Sequence, residues 1–266
     1  MNALLAYFGF SFHPFGRFTP APALFRHRGF TEALSRLAFA ADIDGIAELV
    51  ADPGLGKSLL LGELASSLQA QGFVVHYFAH TTTGPFGFVN VLARKLGLLP
   101  SRSRAETALA LSRKASDDHL RLLLVLDEVQ DMPDATLADV RLLTIDDFDR
   151  KSPFLLVLAG HPALHDRLAE PPHRALDQRV TTVARLAPLS RDETRQYLDC
   201  RLAAAGAARQ PLFEDSAVDA LFDATAGVPR VLNNIATGAL IVAATQNRRV
   251  VSAQDIHDAR IDRGRP

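Results

Sequence analysis

The segment ADPGLGKS at residues 51–58 contains the residue types that hold a nucleotide phosphate. Its glycines let backbone N–H groups curl around a phosphate, Lys57 can bridge the β- and γ-phosphates, and the Ser58 hydroxyl can bind Mg²⁺. An apolar run precedes the segment and a helical pattern follows it, so the positive end of that helix also faces the anion. The segment therefore predicts a phosphate-binding loop for ATP, with contacts from Pro53, Gly54, Leu55, Gly56, Lys57, Ser58 and Leu59.

This loop departs from the G-x-x-x-x-G-K-[ST] pattern at one position, because Ala51 stands where the first glycine is expected. Alanine tolerates the conformation at a strand end, so we expect a modest effect on affinity and an intact loop. Asp52 must point outward, since a carboxylate beside phosphates is repulsive. The alternative interpretation is a glycine-rich turn before an ordinary helix.

An acidic pair, Asp127 and Glu128, follows the apolar run 122–126. A carboxylate at the end of a strand can hold Mg²⁺ through water, and its neighbour can orient and deprotonate an attacking water. We assign Asp127, together with Ser58, to the metal and Glu128 to catalysis. Open parallel sheets gather ligands at the carboxyl ends of their strands, which predicts that this pair lies beside Lys57. Alone, paired acids are often a solvated turn.

A third candidate is His161, which follows the strand-like run 154–159 and Gly160. A polar side chain at this place can sense the γ-phosphate. The alternatives are a loop histidine without function, or a metal pair with His165 at helical spacing, for which no third ligand is evident.

Three arginines are candidates for stabilising charge on the γ-phosphate. Arg174 and Arg179 precede the predicted fifth strand, and Arg230 begins a predicted helix. Cations on the γ-phosphate accelerate hydrolysis of a phosphoanhydride, and arginine supplies them from the same chain or from a neighbour. Surface or ion-pair roles are the alternative for each, since nearly all basic residues of this chain are arginine.

The hydrophobic pattern predicts a doubly wound α/β fold with a parallel sheet, because apolar runs of strand length alternate with segments of helical period. The predicted strands are 45–51, 73–80, 120–127, 153–160 and 181–186. The predicted helices between and beside them are 31–41, 57–71, 86–96, 104–115, 135–147 and 163–168.

Beyond residue 188 the pattern indicates helices only, at 190–205, 216–226, 230–246 and 252–260. Ser190 and Glu193 form a capping box that opens the first of them. We therefore predict an aromatic arm at 1–30 packed on the core, a nucleotide-binding domain at 31–188 and a helical lid domain at 189–266. The sharper alternative for the arm is a wall of a base-binding pocket.

Composition limits the function classes. The charge is balanced, with 29 basic and 30 acidic residues, so contact with nucleic acid needs a local patch. The single cysteine, Cys200, fits a reducing compartment. No run reaches the roughly 18 apolar residues of a membrane span and no export signal is evident, so we expect a cytoplasmic protein without a membrane partner.

With these residues in hand, the chain resembles AAA+ ATPases of the group that contains the transposition regulators TnsC, TniB, MuB and IstB and the secretion ATPase ExeA. The resemblance spans nearly the whole length. It is carried by the phosphate-binding loop and by residues 7–10, 14–15, 126–130, 158–164, 178–180, 186–190 and 227–230.

The resemblance implies a P-loop NTPase fold with a five-stranded parallel sheet and a helical lid. It implies that Arg179 is an arginine finger acting on the ATP of a neighbouring subunit and that Arg230 is the sensor in the lid. His161 stands where the family more often has glutamine, asparagine or threonine. The secretion members look like this module extended by a membrane helix and a cell-wall-binding region, and the end of this chain after the lid favours the transposition branch.

These features lead to a first hypothesis: a Mg²⁺-dependent ATPase that assembles on duplex DNA as a ring or helical filament of identical subunits. It would recruit or activate a transposase. Contacts would go to DNA phosphates, from the basic residues that follow the second strand: Arg94, Lys95, Arg102 and Arg104. The alternatives are an ExeA-like ATPase for secretion or envelope assembly without DNA binding, and a signalling switch with slow hydrolysis.

Overall fold

The computed structural model describes residues 2–17, 20, 23–43, 45–79, 82–117, 121–144, 154–207, 211–262 and 264. These residues form two compact units. One is residues 28–186, here called the α/β unit, and the other combines residues 1–27 with 187–266, here called the helical unit. The predicted element ends at residues 80, 120, 147 and 153 lie outside the described residues.

The helices and strands follow in this order: α1 (Asn2–Phe8), α2 (Arg28–Asp42), β1 (Ile46–Ala51), α3 (Lys57–Ala70), β2 (Val74–Phe78), α4 (Pro85–Lys95), α5 (Arg104–Asp117), β3 (Leu122–Leu126), α6 (Asp134–Leu143), β4 (Phe154–Gly160), α7 (Pro162–Leu168), α8 (Arg174–Asp177), β5 (Val180–Leu186), α9 (Arg191–Ala204), α10 (Asp215–Thr225), α11 (Pro229–Thr245) and α12 (Ala253–Asp262). A 3-10 turn occupies Val129–Asp131.

The α/β unit is built on a five-stranded sheet in the order β2-β3-β4-β1-β5, in which every described pairing is parallel. Every residue of β1, β3 and β4 is buried, because helices cover both faces of a parallel sheet. This explains their nearly continuous apolar runs. The predicted α/β fold with a parallel sheet is confirmed.

The register of the sheet brings the carboxyl ends of its central strands to one edge. Val50 pairs with Gly160, and Leu126 pairs with Leu158. The residues that follow β1, β3 and β4 therefore emerge side by side. These are the phosphate-binding loop, the acidic pair and His161, and the sheet places all three at the edge where such folds bind ligands.

The helical unit contains residues 1–27 of the predicted aromatic arm, which differs from the expectation that the arm packs on the main core. Phe10 and Phe15 are buried in a cluster with residues of α9 to α12. The buried guanidinium of Arg201 donates hydrogen bonds to the carbonyls of Pro14 (2.6 Å) and Gly16 (3.1 Å). Composition predicts that the aromatic side chains are anchored, but not on which unit.

The start of α9 confirms the predicted capping box. The backbone N–H of Glu193 donates to Ser190 Oγ at 3.1 Å, and the backbone N–H of Ser190 donates to Glu193 Oε2 at 2.9 Å. Close by, Leu189 N donates to the carbonyl of Gly227 at 2.9 Å. Gly227 has a φ of +72°, and a Cβ atom there would overlap the Leu189 carbonyl. This loop therefore requires glycine.

Each predicted strand and helix corresponds to an observed element, with ends shifted by a few residues. The structure adds α1, α8 and the 3-10 turn, which the sequence did not predict. Each spans two helical turns or fewer, too short for a hydrophobic period to be recognised.

Candidate nucleotide site

The phosphate-binding loop joins β1 to α3, as the sequence predicts. Gly54 and Gly56 have φ values of +94° and +102°, a region that residues with a side chain rarely adopt. Ala51 is the buried last residue of β1, and Asp52 is exposed. The glycines thus stand where the backbone needs them, and Ala51 occupies ordinary strand geometry.

The first turn of α3 presents its N-terminus at this loop. Gly56 is the N-cap residue and provides no side-chain cap. The first N–H groups of a helix have no intrahelical partner, so this turn can bind an anion. Leu55 is buried and anchors the loop, whereas Pro53, Ser58 and Leu59 are exposed.

Lys57 joins the phosphate-binding loop to the acidic pair. Its Nζ lies 2.9 Å from Glu128 Oε1 and 3.4 Å from Asp127 Oδ1. The side chains of Lys57 and Asp127 are buried, and that of Glu128 is half-exposed. The structure thus brings together Lys57, Asp127 and Glu128, which the sequence assigned to one site from separate motifs.

Glu128 has an unusual backbone and a perturbed carboxyl group. Its φ of 54° and ψ of 42° lie in the left-handed region, which non-glycine residues adopt at an energetic cost. Partial burial raises the pKa of this carboxyl, but hydrogen bonds from Lys57 and Gln130 and the charges of Lys57 and His161 lower it, and the net pKa shift is downward. Glu128 is therefore held in its charged form.

Tyr77 on β2 is a site residue that the sequence did not predict. Its hydroxyl donates to Asp127 Oδ2 at 2.6 Å, while the backbone N–H of Glu128 donates to Asp127 Oδ1 at 2.9 Å. Burial, followed by the hydrogen bond to Asp127 and its charge, raises the pKa of Tyr77 far above its usual range. Both oxygens of Asp127 thus have fixed partners.

His161 is the N-cap residue of α7. Its ring Nδ1 accepts from the backbone N–H of Ala163 at 3.3 Å, and the backbone N–H of His161 donates to Gln130 Oε1 at 3.4 Å. His161 lies near enough to Glu128 for its charge to lower the pKa of that carboxyl. Its role as a sensor stays a prediction.

His165 makes a different contact and does not pair with His161. Its Nδ1 lies 2.9 Å from Oε2 of the buried Glu48, and Arg185 Nη2 lies 3.0 Å from its Nε2. Since arginine can only donate, Nε2 accepts and Nδ1 carries the proton that Glu48 receives. No group of three metal-ligating side chains occurs within the described ranges.

The three arginines occupy different positions. Arg179 immediately precedes β5 and donates from Nη2 to the carbonyl of Thr144 at 3.3 Å. Arg174 is exposed at the start of α8. Arg230 is exposed in the first turn of α11, in the helical unit. The arginine-finger role of Arg179 and the sensor role of Arg230 stay predictions.

The four candidate DNA contacts are all exposed. Lys95 donates to the carbonyl of Tyr77 at 3.2 Å, and Arg104 forms a 3.4 Å ion pair with Asp139. Contact of these side chains with DNA phosphates stays a prediction.

The donor set at this site fits Mg²⁺. A hydroxyl from Ser58 and a carboxylate from Asp127 are the oxygen ligands that Mg²⁺ uses when phosphates and water complete its shell.

Known proteins resemble this chain in sequence and in structure. Residues 42–168 match the family model described as "AAA domain". The chain is 29% identical over 260 residues to General secretion pathway protein A of Aeromonas hydrophila, which covers 94% of this chain and 46% of that protein. The chain thus spans about half the length of this curated relative.

Two solved structures show the fold. Cdc6p from Pyrobaculum aerophilum has a TM-score of 0.72 and 18% identity, covering 94% of this chain and 70% of that one. The Aeropyrum pernix ORC1 protein, solved in complex with DNA, has a TM-score of 0.66 and 18% identity, covering 94% of this chain and 68% of that one. The chain has an AAA+ fold.

The fold that the resemblance implies, a P-loop NTPase fold with a five-stranded parallel sheet, is confirmed. Membership of the group of transposition regulators stays a prediction. Among the residues described here, no helix combines the length and apolarity needed to cross a lipid bilayer.

Proposed function

We propose that this protein binds ATP at the loop between β1 and α3 and hydrolyses it with the help of Mg²⁺. The observation that carries this proposal is the contact of Lys57 with both acids of the pair, at 2.9 Å to Glu128 and 3.4 Å to Asp127. A phosphate-binding lysine beside two carboxylates at the carboxyl edge of a parallel sheet supports phosphoryl transfer to water.

Each residue has a role set by its chemistry. Backbone N–H groups of the loop and Lys57 would bind the phosphates, and a triphosphate would compete with Glu128 for the Lys57 ammonium. Ser58 and Asp127 would hold Mg²⁺, which when bound neutralises phosphate charge. Glu128 would accept a proton from the attacking water, and His161 would contact the γ-phosphate side of the site.

Nucleotide binding by Lys57→Ala tests this proposal directly. Loss of a charge-assisted hydrogen bond costs about 1.5–3 kcal/mol, so affinity for ATP should fall at least about tenfold. Lys114→Ala is the matched control and should bind ATP normally, because Lys114 lies in the last turn of α5, which carries no residue assigned to ATP binding. Equal affinities of the two variants for a fluorescent ATP analogue would reject the assigned loop.

For the biological role, we propose a DNA-binding regulator of transposition that oligomerises on duplex DNA and recruits or activates a transposase. Support comes from the motif resemblance and from the exposed Arg94 and Arg102 on and after α4. The Aeropyrum pernix ORC1 protein was solved in complex with DNA, and its similarity to this chain is one of fold alone. Contacts to phosphates would make binding salt-sensitive and nearly independent of sequence.

A second candidate role is an ATPase for secretion or envelope assembly whose partners are proteins. It is favoured by the 29% identity to General secretion pathway protein A, which extends over 94% of this chain. Because the chain spans 46% of the length of that relative, we transfer the activity and partners of the whole relative to this protein only as a proposal.

DNA binding distinguishes the two roles. With ATP and low salt, the Glu128→Gln variant should bind labelled duplex DNA under the first role, with an affinity that falls steeply as salt rises. Replacing Arg94 and Arg102 by alanine should flatten that salt dependence. The control replaces Arg191 and Arg195, which pair with aspartates in the helical unit. Failure to bind DNA at low salt with ATP present would reject the first role.

A further inference from the structure

Gln130 lies between the acidic pair and the end of β4, and the proposed mechanism gives it no role. Its Nε2 donates to Glu128 Oε2 at 2.8 Å and to Asp131 Oδ2 at 3.3 Å. Its Oε1 accepts from the backbone N–H of His161 at 3.4 Å. One side chain therefore connects the residue assigned to water activation with the residue assigned to sensing.

The contacts of Gln130 fix the orientation of its amide. The NH₂ group faces two carboxylates, which can only accept when ionised, and the oxygen faces an N–H group, which can only donate. Reversing the amide would place its oxygen against carboxylate oxygens and its NH₂ group against the backbone N–H of His161. Gly160 provides the space, because a Cβ atom there would lie 2.5 Å from Gln130 Oε1. A side chain at position 160 would therefore require Gln130 and Leu164 to shift.

The backbone around Gln130 also accepts hydrogen bonds from a side chain of α7. Arg167 on α7 donates from Nη1 to the carbonyl of Gln130 at 2.9 Å and to that of Val129 at 3.4 Å. The other end of its guanidinium contacts Asp134, which also contacts His173 Nε2 at 3.0 Å. The 3-10 turn that carries Gln130 is thus tied to α6, α7 and the residue before α8.

We propose that Gln130 is a positioning residue for Glu128, a role that rests on the proposed ATPase function. Lys57 contacts Oε1 of Glu128 and Gln130 contacts Oε2, so the two oxygens have separate partners. Gln130 holds Oε2, which directs Oε1 into the site. When a triphosphate draws Lys57 away, Oε1 is the oxygen that faces the attacking water. Because Gln130 also accepts from the backbone N–H of His161, a movement of His161 at the end of β4 would change the orientation of the Glu128 carboxylate.

Turnover by Gln130→Ala and Gln130→Met, measured with ATP affinity, tests this role. The methionine variant keeps the length of the side chain and removes its hydrogen bonds. Without the hydrogen bond that orients the Glu128 carboxylate, kcat should fall at least about tenfold, while the Kd for ATP changes less than about twofold. Gln254→Ala is the matched control, because it removes a 2.7 Å amide-to-carboxylate bond on α12 and should leave kcat unchanged.

A double-mutant comparison separates positioning from a structural effect. In a Glu128→Gln background, Gln130→Met should cause no further loss, because the positioned carboxylate is already absent.

The outcomes distinguish this inference from the proposed function. An active wild type whose Gln130→Met variant keeps its kcat, or loses kcat and ATP affinity equally, would overturn the positioning role alone. A wild type that binds ATP without hydrolysing it would overturn both proposals.

Discussion

The Lys57 ammonium lies 2.9 Å from the Glu128 carboxylate and joins two segments that are 71 residues apart in the chain. Lys57 begins α3 after β1, and Glu128 follows β3, with β4 between these strands in the sheet. The side chains therefore reach across the end of β4, where His161 emerges. This relationship defines the candidate site.

Arg179→Ala should remove hydrolysis without removing ATP binding. An arginine that stabilises the transition state contributes about 10³–10⁵ in turnover in related phosphoryl transfers, whereas ground-state affinity changes little. Arg195→Ala is the control, since this half-exposed arginine pairs with Asp215 in the helical unit. Turnover and ATP affinity of both variants give the comparison.

Mixing variants shows whether Arg179 acts across a subunit interface. Arg179→Ala retains the phosphate-binding loop and Lys57→Ala retains the arginine, so a mixed assembly should regain activity at interfaces that combine the two. Absence of any regain, in assemblies that demonstrably mix, would contradict action on a neighbour.

Tyr77 should ionise only far above pH 10. Burial, and after it the hydrogen bond and charge of Asp127, raise the pKa of its hydroxyl in the folded chain. A raised folded pKa means that the contribution to stability is complete below the unfolded value of about 10 and is lost as pH rises through the folded pKa. Asp127→Asn should lower the pKa of Tyr77.

Tyrosinate absorbance measures this titration, with Tyr77→Phe as the reference that isolates one of the three tyrosines. If the absorbance assigned to Tyr77 rises near pH 10 in the unmodified chain, its contact with Asp127 is not present in solution.

Gly227→Ala should destabilise the helical unit by at least about 2 kcal/mol, because strained left-handed backbone and steric overlap both act against the folded state. A Cβ atom at Gly227 would overlap the carbonyl of Leu189. Gly62→Ala in α3 is the control, since its Cβ would meet no atom within 4 Å and alanine favours a helix. Urea unfolding should show a lower midpoint for Gly227→Ala and not for Gly62→Ala.

The sequence predicts the sheet and the main site because both depend on local patterns. Buried parallel strands leave continuous apolar runs, as at 122–126, and a phosphate-binding loop needs glycine where φ is positive, as at Gly54 and Gly56. The end of each strand then locates the acidic pair and His161, since all strands run in one direction.

The site and packing features that the sequence did not predict depend on contacts between residues far apart in the chain. The hydrophobic period of a single sequence carries no information about such contacts. Nothing in the pattern of β2 distinguishes Tyr77 as the partner of Asp127, and the left-handed backbone of Glu128 follows from the turn after β3. Arg201 is a further example. The sequence does not distinguish it from an exposed arginine of a helix, but its side chain is buried and donates to the carbonyl of Pro14.

ATP binding and steady-state turnover of Glu128→Gln, measured beside the wild type in the presence of Mg²⁺, test the central claim most directly. Glutamine preserves the shape of Glu128 but cannot accept the proton of the attacking water. We expect ATP affinity close to that of the wild type and turnover lower by about 100-fold or more. Turnover at the wild-type rate would contradict the assignment of Glu128 and, with it, the proposed site.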